Sequence, residues 1–160
     1  MDYIIKKCEY DELLEVAHLY NELSRELKQC TNDRETEDTQ IADNTMQRIL
    51  RSAIKECNLM IFVAKDQDKV IGFISGSIKT GEALVSGGNP IGYVEGAYVM
   101  HEYNANEVLS QLEDKLILEF KAQKVSFSGL NDTNRMKDVT DSWMSACYQN
   151  YRELKKSICH

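Results

Sequence analysis

The sequence lacks the features that mark several large classes of protein. No stretch approaches the ~20 apolar residues that a membrane-spanning helix needs, and the N-terminal segment lacks the basic-then-apolar layout of a signal peptide. The five cysteines are odd in number, widely scattered and without a Cys-x-x-Cys pair, which argues against a disulfide framework and against a zinc site. We therefore expect a cytoplasmic protein with reduced thiols and no bound metal.

Basic residues are in the minority, with 19 Lys and Arg against 26 Asp and Glu and a formal net charge of −7. A general nucleic-acid-binding protein would show a basic face, so this balance argues against nucleic acid as a partner. The excess of acid is compatible with a cationic small-molecule partner and equally with an acidic surface that only aids solubility. Composition alone leaves both interpretations open.

Internal repeats, linkers and low-complexity tracts are absent as well, and the length of 160 residues fits a single domain, 1–160, with its own core. Hydrophobic periodicity predicts the element order β-α-α-β-β-β-α-β-α-β, which favours an α/β fold with a mixed central sheet and helices on both faces. The predicted elements include a helix from about Tyr10, a helix capped near Asn44, adjacent antiparallel strands at 59–64, 70–78 and 91–100, a short strand at 124–128 and a last helix at 136–150.

The most informative stretch is a strand that runs into a helix, residues 91–120. The strand is rich in aromatic and β-branched residues, and Gly92 and Gly96 interrupt it. A glycine inside a strand often marks a bulge or a close approach by another group. A strand that feeds a helix start in this way points unpaired N–H groups outward, which is a usual place to hold a phosphate. The apolar stripe of the helix recurs at every fourth residue: Val108, Leu112, Leu116 and Phe120.

The run Gly-Tyr-Val-Glu-Gly-Ala-Tyr-Val-Met-His-Glu-Tyr at 92–103 resembles the fourth strand of the GCN5-related N-acetyltransferases (GNAT). It is most similar to the group that acetylates the 6'-amine of aminoglycosides, as are the strand at 70–78 and the polar loop up to Pro90. The resemblance implies a GNAT-like fold and transfer of an acetyl group from acetyl-CoA to a primary amine. The acceptor would be a cationic small molecule such as an aminoglycoside or a polyamine, and a homodimer is one assembly that the resemblance allows.

The resemblance also implies the cofactor contacts. The backbone at Tyr98, Val99 and Met100 would contact the pantetheine arm, and the helix start would hold the pyrophosphate. In this family an Arg or Gln and a glycine-rich turn open the helix, whereas this chain has neither the glycines nor the Arg there. A second function therefore stays open: a catalytically silent domain of this kind that binds a ligand or a protein and has lost acetyl-CoA binding. The implied pyrophosphate residues are Asn104, Ala105, Asn106, Glu107, Val108 and Leu109.

Two residues are candidates for proton transfer. Glu95 is the predicted base, because it lies mid-strand among apolar neighbours and matches the Glu of the family; its side chain is expected opposite Val94 and Gly96. The competing interpretation is a half-exposed residue that pairs with a lysine across the hairpin. Tyr148 is the candidate acid for the leaving thiolate, because the family often places a Tyr on its last helix; a plain core aromatic is the alternative.

A run of acids between the first two helices supplies a candidate acceptor site. Residues 30–44 contain five carboxylates, one arginine and almost nothing apolar. Such a run is usually a solvated loop. The resemblance, however, implies that this segment borders the acceptor site, where Glu35, Glu37 and Asp38 would attract a polyamine-like substrate.

Overall fold

The computed structural model describes residues 2–31, 41–56, 58–79, 91–123 and 126–127. The predicted order of elements is confirmed through the fifth strand, while the predicted last helix and last strand lie outside the described residues. No helix in the described ranges combines the length and the apolarity that crossing a membrane requires. The elements are β1 (Ile4–Lys7), a short 3-10 helix (Tyr10–Glu12), α1 (Leu13–Thr31), α2 (Asp43–Glu56), β2 (Met60–Asp66), β3 (Lys69–Lys79), β4 (Ile91–Val99), α3 (Ala105–Ala122) and β5 (Ser126–Phe127).

The strands form one five-stranded sheet in the order β1-β2-β3-β4-β5. The first four strands are antiparallel to their neighbours, and β5 runs parallel to β4, so the predicted mixed sheet is confirmed. The hairpin between β2 and β3 is tighter than predicted, because its turn takes only Gln67 and Asp68. Gln67 has a φ of 54°, the left-handed conformation that tight hairpin turns use.

The α1 helix covers one face of the sheet, where it contacts β3 and β4, and α2 packs on α1. The ring of Tyr20 stacks on that of Phe73 in β3, with 4.4 Å between centroids. Glu15 accepts a hydrogen bond of 2.9 Å from the backbone N–H of Val70, where β3 begins. Apolar packing and this polar contact together fix the position of α1 along the strand.

The α3 helix covers the opposite face and comes closest to the sheet where the strands carry glycine. A Cβ at Gly92 would lie 2.6 Å from the ring of Phe120, and a Cβ at Gly76 would lie 2.9 Å from a methyl carbon of Leu116. Both α3 side chains are fully buried. The predicted placement of helices on both faces is therefore confirmed, and Gly92 marks a close approach by a helix.

Two helices start a few residues from their predicted positions. The helix expected from Tyr10 takes α geometry only at Leu13, because a 3-10 turn precedes it. In that turn the side chain of Glu12 accepts the backbone N–H of Glu9 at 2.9 Å, which satisfies one donor of the helix start. The second helix begins at Asp43, one residue before the predicted cap at Asn44.

Candidate active site

The centre of the candidate site is a bulge in β4 at Glu95. In the ladder with β3, Val94 pairs with Gly76 and Gly96 pairs with Ser75. Val94 and Gly96 are two apart in β4 but face adjacent residues of β3, so β4 carries one extra residue at this point. The glycine-interrupted sequence had indicated a bulge, and the register places it at Glu95.

The bulge turns Glu95 toward the face of the sheet that α1 covers. Val94 and Ala97 both pair with residues of β3 that lie on the α3 face, so the two residues between them turn to the other side. Glu95 therefore points away from Val94, as predicted. The expectation that it also points away from Gly96 is wrong, because the extra residue of the bulge breaks the alternation of the strand.

A serine on β3 holds the carboxylate of Glu95. The hydroxyl of Ser77 donates a hydrogen bond of 2.6 Å to Oε1 of Glu95. Ser77 is 6% exposed, whereas Glu95 is half-buried, so the bond runs from the interior toward the surface. A bond from a hydroxyl to an ionised carboxylate is shorter and stronger than one between neutral groups. This serine supplies one cross-strand contact of Glu95; the competing interpretation, a lysine across the hairpin, stays a prediction.

Two tyrosines lie on the same face as Glu95. The phenol of Tyr20 hydrogen-bonds to Ser75 Oγ, and that serine lies 3.4 Å from the carbonyl oxygen of Gly96, to which it donates. Burial raises the pKa of Tyr20 above its ordinary value, and the charge of Glu95 adds to this rise. The pKa of Tyr93 is also raised, mainly by burial and to a lesser extent by the charge of Glu95. Both phenols therefore stay neutral beside the carboxylate.

The start of α3 is capped by Asn104. Its side-chain Oδ1 accepts the backbone N–H of Glu107 at 3.3 Å, and its carbonyl accepts the N–H of Val108 at 3.0 Å. Among the described residues, nothing accepts the backbone N–H of Ala105 or of Asn106. Two amides of the first turn thus remain for an anion, in the segment where the resemblance places the pyrophosphate.

The other predicted pyrophosphate residues divide between core and surface. Ala105, Val108 and Leu109 are buried, so a bound phosphate would meet only their backbone. Glu107 is exposed, and its carboxylate lies toward Tyr3 of the N-terminal segment. Burial is the main cause of the raised pKa of Tyr3, and proximity of the Glu107 charge adds to it, although no hydrogen bond of standard geometry joins the two. Glu107 therefore does not cap its own helix.

The predicted pantetheine contacts lie where β4 ends. The backbone N–H of Met100 donates to the carbonyl of Ile71 in β3 at 2.9 Å, and the carbonyl of Met100 accepts the N–H of Tyr103 at 3.2 Å. Both backbone groups of Met100 are thus engaged within the chain. Because backbone groups of a strand alternate between its two edges, those of Val99 point to the side of β5. The side chain of Tyr98 turns to the α1 face, where its phenol donates to Glu26 at 3.0 Å.

Sequence reasoning missed the anchor of the loop that joins β4 to α3. The phenol of Tyr103 donates a hydrogen bond of 2.8 Å to Asp66 at the end of β2. The same bond is the main cause of the raised pKa of Tyr103. Asn104, the cap of α3, follows directly, so this contact fixes where the helix starts. No local pattern in the sequence joins positions 66 and 103.

A polar stripe along α1 was also missed. His18, Glu22 and Glu26 recur at every fourth residue, and this spacing, visible in the sequence, puts them on one side of the helix. His18 Nδ1 lies 3.1 Å from a carboxylate oxygen of Asp43 in α2, and Glu26 contacts His101 just after β4. The stripe and its contact with α2 bring three acids, Glu22, Glu26 and Asp43, to one side of α1.

One further group of acids lies close together, at Glu9, Asp11 and Glu12. Glu12 is 2% exposed and is engaged by two lysines, Lys6 at 2.9 Å and Lys65 at 2.7 Å. The lysines compensate its charge and tie the first turn of the helix to β1 and β2. This group therefore has a structural explanation in an ion-pair network.

Four predicted site residues lie outside the described part of the chain and stay predictions. They are the candidate acid Tyr148 and the acceptor-binding candidates Glu35, Glu37 and Asp38.

Comparison with known proteins shows the family to which the chain belongs. The model of the acetyltransferase (GNAT) family matches residues 16–135, which include most of α1 and all of α2, β2, β3, β4 and α3. No curated protein sequence matches the chain.

Several solved structures share the fold. An acetyltransferase from Vibrio fischeri is 23% identical, with 77% of this chain and 90% of that chain covered and a TM-score of 0.59. An aminoglycoside N-acetyltransferase in complex with CoA is 16% identical, with 85% and 83% covered and a TM-score of 0.60. The aminoglycoside antibiotic 6'-N-acetyltransferase of Acinetobacter baumannii is 15% identical, with 89% and 92% covered and a TM-score of 0.59. At these identities the likeness concerns the fold alone.

Proposed function

Because the chain belongs to the acetyltransferase (GNAT) family, we propose that it transfers the acetyl group of acetyl-CoA to a primary amine of a cationic small molecule. Membership makes it an acyltransferase, and acetyl-CoA is the donor that the family uses. The observation that carries the proposal is the half-buried carboxylate of Glu95, which the bulge of β4 turns to the α1 face and Ser77 holds there. A fixed carboxylate at the middle of β4 is suited to proton transfer.

Glu95 is the base of the proposed reaction. A primary alkyl amine has a pKa near that of lysine, about 10.4, so the acceptor arrives as an ammonium ion and must lose a proton before it attacks. Glu95 takes this proton, directly or through one water, and the neutral amine becomes the nucleophile. Acetyl-CoA supplies the activated thioester when it is bound. The amine forms the new C–N bond as the C–S bond breaks, and Tyr148 is the proposed acid that protonates the leaving thiolate. The second proton that the attacking nitrogen loses restores the Tyr148 phenol.

Acetyl-CoA is proposed to bind along the end of β4 and the start of α3. The two amides of Ala105 and Asn106 suit the pyrophosphate, and the backbone of Val99 faces the edge where the resemblance places the pantetheine arm. No glycine is required for amides to point outward at a helix start, which supports binding despite the missing glycines. The asparagine cap takes up one donor, so we expect weaker binding than at a glycine-rich turn.

The acceptor is proposed to be an aminoglycoside-like or polyamine-like cation, which would approach from the side of α1. The net charge of −7 and the acids of the polar stripe favour a polycation. The printed names of two structural relatives make aminoglycosides the first acceptors to test. Glu35, Glu37 and Asp38 are proposed to add to this field, and a homodimer stays a prediction.

The test of the activity is a transfer assay with acetyl-CoA and two acceptors, kanamycin A and spermidine. Acetylated amine, detected by mass, is the expected product. Glu95→Gln keeps the shape of the side chain but cannot act as a base, so kcat should fall about 10²- to 10⁴-fold while acetyl-CoA binding, measured by calorimetry, stays near that of the wild type. Full activity in this variant would remove Glu95 from the mechanism.

The acceptor proposal has a separate test. Neutralising the three loop acids together, in Glu35→Gln/Glu37→Gln/Asp38→Asn, should raise KM for the polycation and flatten its dependence on salt, because screened charge attraction is lost. An unchanged KM would show that the loop is a solvated segment with no role in acceptor binding. Absence of both transfer and acetyl-CoA binding in the wild type, at millimolar acetyl-CoA, would favour the silent ligand-binding domain instead.

A further inference from the structure

We propose that Ser77 is a positioning residue for the Glu95 base, and that its hydroxyl fixes the direction of that carboxylate. The role of Glu95 as a base rests on the proposed function. The contact between the two side chains does not, because it is a hydrogen bond of 2.6 Å between β3 and β4.

The bulge explains why a contact from the neighbouring strand bears on the direction of Glu95. The extra residue of β4 turns Glu95 and Gly96 to the same face, and Gly96 has no side chain against which Glu95 could pack. A glutamate has three side-chain torsions, and a hydrogen bond to its carboxylate restricts them. Ser77 is almost fully buried in the neighbouring strand β3, and its hydroxyl holds the Glu95 carboxylate from the interior side. A base that is misplaced by about 1 Å slows the reaction strongly, so the contact from Ser77 is expected to raise kcat.

Ser75 is a matched control within the same strand. It lies two residues before Ser77 on the same face and is also buried, but its partners are the phenol of Tyr20 and the carbonyl of Gly96. Its removal disturbs the packing of α1 on the bulge and leaves the contact of Ser77 with the carboxylate in place. A structural effect of serine loss would therefore appear in both variants.

The experiment compares Ser77→Ala, Ser77→Thr and Ser75→Ala in the full chain with acetyl-CoA and kanamycin A. For Ser77→Ala we expect kcat to fall about tenfold with KM for acetyl-CoA unchanged. Ser77→Thr keeps the hydroxyl and should restore kcat. Ser75→Ala should lower the Tm, and its fall in kcat should be smaller than that of Ser77→Ala.

Two results would overturn the proposal. One is a wild-type kcat in Ser77→Ala; the other is an equal fall of kcat in Ser75→Ala. If the wild type transfers no acetyl group at all, the proposed function fails, and a second readout still decides the role of Ser77. Crystal structures of the wild type and of Ser77→Ala should show the Glu95 carboxylate in different directions. The same Glu95 rotamer in both would overturn the proposal in that case too.

Discussion

Replacement of Gly92 by alanine should destabilise the protein through a clash between β4 and α3. A Cβ at position 92 would lie 2.6, 2.6 and 2.7 Å from three ring carbons of Phe120, about 1 Å inside the ordinary contact distance between carbons. The ring is fully buried, so it has no free direction in which to move. Overpacking of this kind costs about 1–3 kcal/mol. For a chain of this length that corresponds to a fall in Tm of about 2–10 °C.

A double-mutant cycle identifies the clash as the cause. Phe120→Leu alone should destabilise the protein by leaving a cavity. Combined with Gly92→Ala, however, the smaller side chain makes room for the new methyl group. The double variant should therefore be more stable than the sum of the single effects by about 1 kcal/mol or more, measured by urea unfolding at constant m-value.

Gly72→Ala is the matched control on the same face of the sheet. The nearest atoms to a Cβ there lie at 3.0 and 3.1 Å, so the overlap is smaller and the loss of stability should be smaller than at Gly92. Equal losses at the two sites, or additive effects of Gly92→Ala and Phe120→Leu, would refute the packing described between α3 and β4.

Three further predictions follow from single contacts. Glu107→Gln removes a negative charge beside the start of α3 and keeps the asparagine cap, so it should tighten acetyl-CoA binding a few-fold in calorimetry at low salt. Weaker binding by this variant would show that the carboxylate assists the site. Tyr103→Phe removes the bond to Asp66 and should raise the Kd for acetyl-CoA with little change in kcat; an unchanged Kd would show that the loop needs no anchor. Burial disfavours ionisation of Glu12, but the hydrogen bonds that it accepts, above all from Lys65, outweigh this and hold its pKa below the ordinary 4.5. The stabilising contribution of the ionised Glu12 is therefore full above pH 4.5 and disappears as pH falls through its lower folded-state pKa. Glu12→Gln should be less stable than the wild type at pH 7, and the difference in the free energy of unfolding should vanish in strong acid. A difference that stays constant with pH would contradict this.

The sequence determined most of the fold, because the features that specify it are local. Runs rich in aromatic and β-branched residues specified the strands, four-residue spacing specified the stripe of α3, and glycines marked a bulge and a close approach in β4. It also provided the chemistry of the candidate base, since Glu95 is the one carboxylate in that strand. The element ends were less accurate, as at Leu13 and Asp43, because capping side chains and short 3-10 turns decide them.

Only the tertiary structure decided which residues meet at the site. Ser77 and Glu95 are 18 residues apart, and their contact depends on a register that the bulge shifts by one. Glu26 is separated from the phenol of Tyr98 by 72 positions along the chain. The direction of Glu95 relative to Gly96 was predicted wrongly for the same reason. Strand periodicity gives the face of a residue only while the ladder is regular, and a bulge is a property of two paired strands, which neither strand specifies alone.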